Sequence, residues 1–120
     1  MESSTAVAHL SALAQESRLS VFRLLVQAGA EGLSAGDLAA KLSLPNPTLS
    51  FHLSQLKGAG LVQCRRESRS LIYTANFAAM NELLSFLTDN CCGGQPELCA
   101  PVACAPVKPR TIVKARRRAS

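Results

Sequence analysis

Apolar residues recur along this chain at two different periods. Val7, Leu10 and Leu13, with small alanines between them, predict a short first helix. In "ESRLSVFRLLVQAG", Leu19, Phe22, Val26 and Leu25 predict an apolar helix face, and Gly29 is a natural stop. "GLSAGDLAAKLSLP" predicts a third helix, with Ser34 and Asp37 as a cap pair and Leu38 and Leu42 on one face. A fourth helix follows Pro45, with Asn46 as its cap and Pro47 in its first position. Its inward stripe is Leu49, Leu53 and Leu56, at i, i+4 and i+7.

After Gly58 and Gly60 the period shortens. Leu61 to Arg66 and Ser70 to Ala75 predict a hairpin with Glu67, Ser68 and Arg69 at its tip. "NFAAMNELLSFLTDN" is helical again, with Phe77, Met80, Leu83 or Leu84, and Leu87 spaced by threes and fours. From Cys91 onward, glycines and prolines interrupt any regular pattern, and residues 105–120 are expected to be a disordered tail. The fold class is therefore mainly α with a small β-hairpin. Two helices joined by the tight turn "LSLPNP", with a hairpin after them, define a winged helix-turn-helix. Three segments result, with the roles that the resemblance given below implies: 1–90, a winged helix-turn-helix DNA-binding and dimerisation domain; 91–104, a cysteine-rich inducer-binding segment; and 105–120, the basic tail.

Charge alters this picture little. The 120 residues carry 13 Lys and Arg against 8 Asp and Glu, a net charge of +5. Lys108, Arg110, Lys114, Arg116, Arg117 and Arg118 all fall in the tail, so the other 104 residues have a net charge of −1. Nucleic-acid binding must rest on local chemistry instead. The outward side of the fourth helix offers Thr48, Ser50, Phe51, His52 and Gln55, groups suited to base edges, phosphates and a thymine methyl. The hairpin carries Arg65, Arg66 and Arg69, which can reach phosphates or a minor groove. Each part has a plainer reading as solvated surface, and His52 can equally hydrogen-bond inside the domain. Order and juxtaposition give the parts their weight. No phosphate loop, paired catalytic carboxylates or nucleophile elbow suggests an enzyme.

Four of the five cysteines crowd into "NCCGGQPELCAPVAC". The N-terminus lacks a basic leader pattern and no apolar run suits a membrane span, so a cytoplasmic protein with reduced thiols is expected. Clustered thiols there bind metal or sense redox state. Cys91 and Cys92 are adjacent and can both face one soft ion. Trivalent arsenic or antimony takes three sulfurs, and Cys99 or Cys104 can supply the third. Other readings stay open: tetrahedral zinc without the usual spacing, a redox pair joining Cys91 or Cys92 to Cys99 or Cys104, and monomethylated arsenic on the vicinal pair alone. Cys64 reads as an ordinary strand residue.

The stretch "PTLSFHLSQLKGAGLV" resembles the recognition helix and following strand of the ArsR/SmtB metalloregulatory repressors. Leu49, Ser50, His52, Leu53, Leu56, Ala59, Gly60, Leu61 and Val62 match its pattern. Arg18 and Leu19 fit the family's second helix, with Glu16-Ser17 where that helix has proline. The resemblance covers roughly residues 8–90. It implies a homodimer joined by its first and last helices and bound to an imperfect inverted repeat of operator double-stranded DNA. It also implies a repressor that releases that DNA on binding a toxic ion. The family's Cys-Val-Cys arsenic site has no counterpart in "LSAGDLAAKLSLP", and its last-helix zinc site has no histidine here. Some arsenic-responsive relatives carry a Cys-Cys pair and a further Cys beyond the last helix. That similarity implies As(III) as inducer, with Sb(III) possible, at Cys91, Cys92 and Cys99, with Cys104 as the alternative third ligand.

Overall fold

A computed structural model describes residues 1–90 and Gly93. Among the described residues, five α-helices accompany a small antiparallel sheet: α1 Ser3–Leu13, α2 Glu16–Ala28, α3 Ala35–Leu42, α4 Asn46–Gly58 and α5 Phe77–Leu87. The strands are β1 Leu33–Ser34, β2 Val62–Glu67 and β3 Ser70–Ala75, in the order β1-β3-β2. This is the winged helix-turn-helix arrangement, with α3 and α4 as the helix pair and β2–β3 as the wing.

The core forms where the helix stripes meet the sheet. Leu25, Leu38, Leu49, Leu56, Leu61 and Val21 are fully buried. Each contributes roughly 1.5–3 kcal/mol by leaving water. The leucine stripe of α4 faces inward as its spacing predicts. The stripes of α1 and α2 do so only in part: Phe22 and Leu25 are buried, and Leu13 and Val26 pack against the core. In α2 the buried residues are Val21, Phe22 and Leu25, while Leu19 is exposed and Val26 is half-buried. In α1, Ala6 and His9 are buried, and Val7 and Leu10 face out. Small residues sit inside because α1 packs closely on α2 and α4.

Side-chain caps set several boundaries. Asp37 N–H donates to Ser34 Oγ at 3.1 Å, as the sequence predicts. Arg18 N–H donates to Gln15 Oε1 at 2.9 Å, starting α2. For α4 the cap is Pro45 and not Asn46. Pro45 is already extended (φ −61°, ψ 147°), and its carbonyl accepts the first helical bond from Leu49 N–H at 3.0 Å. A proline held at this φ with extended ψ has cap geometry, so the helix begins one residue early.

The wing also departs from expectation in detail. Glu67 pairs with Ser70, so the turn is only Ser68-Arg69, and Ser68 adopts φ +55°. A positive φ at this position is what tight hairpins demand, because it matches the strand twist. The sheet has a third strand that the sequence does not announce. β1 pairs with β3 through Leu33↔Tyr73 and Ser34↔Ile72. Two residues cannot display a period of two, so this strand exists only through its partner.

Candidate nucleic-acid interface

α4 divides cleanly by burial. Leu49, His52, Leu53 and Leu56 are buried, whereas Thr48, Ser50, Phe51, Ser54 and Gln55 are exposed. Phe51 is 57% exposed, its ring tilted against that of His52 with the centroids 5.8 Å apart. A hydroxyl-and-amide face around one exposed aromatic ring can meet base edges, phosphates and methyl groups.

His52 must be removed from this face. It is only 7% exposed, and its Nδ1 is buried without a hydrogen-bond partner among the described residues. Leu49, His52, Leu53 and Leu56 together complete the i, i+3, i+4, i+7 pattern, so His52 belongs to the inward side. Ser54 was missed. It lies four residues after Ser50 and three after Phe51, which places it on the outward face.

The wing arginines also divide. Arg65 is turned back onto the domain. Its Nε donates to Glu67 Oε2 at 2.7 Å, its Nη1 to the Ala30 carbonyl at 3.1 Å, and its Nη2 to the Glu31 carbonyl at 2.9 Å. Its donors are directed into the protein, so the expectation of a DNA contact at Arg65 gives way to a strut between the wing and the segment after α2. Arg66 and Arg69 are exposed and form no ion pair among the described residues. Their guanidinium groups remain available to an anion.

Cys64 faces Tyr73 across the β2–β3 ladder. Burial, and then the neighbouring Cys64 thiol as a charge and hydrogen-bond partner, push the Tyr73 hydroxyl pKa up. Cys64 is thus a half-buried member of the wing, as its strand position predicts. Cys91, Cys92, Cys99 and Cys104 lie outside the described residues. Among the described residues, no three His, Cys, Asp or Glu side chains gather to hold a metal ion.

One residue joins the interface to the last helix. Asn76 caps α5 by accepting from Ala79 N–H at 3.2 Å, and its Nδ2 donates to the Gly60 carbonyl at 2.9 Å. Its backbone N–H donates to the Leu61 carbonyl at 2.8 Å. The start of α5 is therefore bonded directly to the chain leaving α4.

The helix-turn-helix domain family (HTH_20) matches residues 13–65. The transcriptional activator HlyU of Vibrio cholerae serotype O1 is 34% identical over 85 residues, covering 71% of this chain and 76% of its own. A structure of reduced HlyU from Vibrio cholerae N16961 superposes with a TM-score of 0.58 at 37% identity, covering 72% of this chain and 92% of that one. An ArsR-like transcriptional regulator from Rhodococcus sp. RHA1 gives a TM-score of 0.63 at 27% identity, over 70% of this chain and 76% of that one. The homodimeric winged helix-turn-helix DNA-binding domain of Mb0332 from Mycobacterium bovis gives 0.58 at 27%, over 72% and 81%. Fold and exposed helix face together define a DNA-binding transcriptional regulator. The chain belongs to the ArsR/SmtB-type winged helix-turn-helix family.

Proposed function

We propose that this regulator is a homodimeric repressor that reads an imperfect inverted repeat and releases it when trivalent arsenic, or antimony, binds Cys91, Cys92 and Cys99, with Cys104 as the alternative third ligand. The observation that carries the DNA-reading half is the exposed polar face of α4 beside a wing with two exposed arginines that form no ion pair among the described residues. Thr48, Ser50, Phe51, Ser54 and Gln55 enter the major groove, and Arg66 and Arg69 hold phosphates. Exposed Val7, Leu10, Leu19 and Leu87 support the dimer, since apolar side chains on α1, α2 and α5 gain by meeting a second copy. The Mb0332 domain, homodimeric in its own right, supports the same reading.

The inducer half rests on thiol chemistry. A vicinal pair and a third cysteine supply the three sulfurs that trivalent arsenic takes. The pair follows α5 in sequence, and α5 begins at Asn76, which is bonded to the Gly60 and Leu61 carbonyls. A change at α5 can thus reach the end of α4 through two hydrogen bonds. A small rotation alters the spacing of the two recognition helices, which must stay ~34 Å apart to read both half-sites. A thiol redox regulator of the same fold is the second reading, favoured by the HlyU relative solved in reduced form. Methylarsenite, needing two sulfurs, is a variant of the first.

The deciding experiment is a mobility-shift titration on an operator selected from random duplexes, with arsenite, methylarsenite, zinc and peroxide in parallel. Arsenite is expected to release the DNA at concentrations where zinc does not. Release by peroxide alone would establish the redox reading, and indifference to all four would remove thiol sensing altogether.

The wing gives a separate expectation. Arg66→Ala should lower the slope of log K against log salt by about 0.9, the share of one phosphate. Arg65→Ala should leave that slope nearly unchanged. Instead it should cost about 1 kcal/mol of stability by freeing the Ala30 and Glu31 carbonyls. The exposed pair with Glu67 adds little to that figure. A full unit of slope lost with Arg65→Ala would return it to the DNA contacts.

A further inference from the structure

We propose that a cleft between α1 and the C-terminal half of α4 seats a DNA backbone phosphate on Arg18. The proposal rests on the DNA-binding reading above and adds Arg18 of α2, a contact residue outside the recognition helix and wing. Ser11 and Arg18 line the cleft together with Ser54 and Gln55 of α4. Ala8 and Gly58 also line it, and their small size lets a bulky backbone approach.

Arg18 is prepared for an anion. Its Nε donates to the Ala12 carbonyl at 2.7 Å, which fixes the plane of the guanidinium. The Nη groups form no hydrogen bond or ion pair among the described residues, where the one ion pair is Arg65–Glu67. An oriented guanidinium fork loses little freedom on meeting a phosphate oxygen and can bind it through two donors. The Ser11 and Ser54 hydroxyls and the Gln55 amide add neutral donors of the kind that hold DNA backbones. Ser54 and Gln55 also belong to the outward face of α4, so a duplex lying on that face passes the cleft.

The face left for a second protomer is elsewhere. Ala8 and Ala12 line the cleft, while Val7 and Leu10 point from another side of α1. At 3.6 residues per turn the directions of Ala8 and Ala12 differ from those of Val7 and Leu10 by roughly 150°, while Ser11 borders the apolar stripe, about 40° from Val7. Dimerisation through the stripe therefore leaves the Ala8 and Ala12 side of the cleft open.

Because a phosphate contact carries no sequence information, a random-sequence 30-bp duplex is a sufficient probe for the full chain. Its anisotropy is followed against salt. Arg18→Gln is expected to lower the salt slope by about 0.9, while Arg18→Lys keeps it. Ala8 is exposed and outside the α4 face. Ala8→Glu should therefore weaken binding five- to tenfold without altering the melting temperature, and Ala8→Lys should tighten it. An unchanged slope in Arg18→Gln with a lowered melting temperature makes Arg18 a tether between α1 and α2 and overturns the proposal. So does indifference of binding to both charges at Ala8. If the wild-type chain binds no duplex at all, the DNA-binding reading fails first, and that outcome is distinct from failure at Arg18 alone.

Discussion

Serine at Cys91 or Cys92 is expected to leave operator affinity within about twofold of wild type and to abolish release by arsenite. A hydroxyl in place of either thiol breaks the vicinal pair and leaves two of the three proposed ligands Cys91, Cys92 and Cys99 for a centre that takes three sulfurs, and oxygen is a weak partner for a soft ion. The pair comes after α5, far in sequence from the residues of α4 that meet DNA, so reading should survive while sensing is lost. In wild type the inducer should lower operator affinity by a coupling of ~1–3 kcal/mol, or roughly 5- to 150-fold. Reciprocity then requires operator DNA to weaken arsenite binding by the same factor. Sedimentation should show a dimer with and without arsenite. Either serine variant dissociating at wild-type arsenite levels removes the proposed ligand set. Splitting of the wild-type dimer by arsenite removes the proposed route through α5.

Gly32→Ala should be the most damaging single methyl addition in the domain. Gly32 has φ 72° and ψ −170°, a region that side chains scarcely enter. A Cβ there would run into the Tyr73 carbonyl oxygen and lie 2.6 Å from the Thr74 methyl group. Both belong to β3, so the added methyl pushes β1 off the sheet. It also displaces the Ala30 and Glu31 carbonyls that hold Arg65. Gly29 provides the control. It is similarly strained (φ 70°, ψ −153°) but has nothing within 4 Å of an added Cβ. Gly29→Ala should therefore cost only the backbone strain, ~1–3 kcal/mol. Gly32→Ala should cost more, at least about 3 kcal/mol, and lower the melting temperature by more than roughly 12 °C. Thermal unfolding followed by circular dichroism compares the two directly, and equal losses would show that crowding against β3 is unimportant.

Much of the DNA-reading element was legible because its signals are local. Leu49, Leu53 and Leu56 repeat at helical spacing, and the glycines at 58 and 60 end the pattern before the wing begins. Ser34 and Asp37 announce the start of α3, and the structure forms that hydrogen bond. His52 was legible too, had the stripe been counted at i+3 as well as i+4. The crowding of thiols was legible from composition and spacing; its proposed role as an inducer site, which the resemblance implies, falls on residues outside the described ones.

The sequence by itself determined the order of helices, the inward leucines of α4, the wing and its arginines, because periodicity and capping act within a few residues. Tertiary structure decided what those residues face. Arg65 reads as a free wing cation until Ala30 and Glu31, 35 and 34 residues away, are brought beneath it. β1 has two residues and becomes a strand only when β3 arrives beside it. Val7, Leu10 and Leu19 have the spacing of core residues, yet at these helices the domain closes over Ala6 and Val21 as well as the expected Phe22 and Leu25, and leaves the three exposed. Periodicity reports that a face is apolar and cannot name its partner, because that choice depends on how closely each pair of helices can pack.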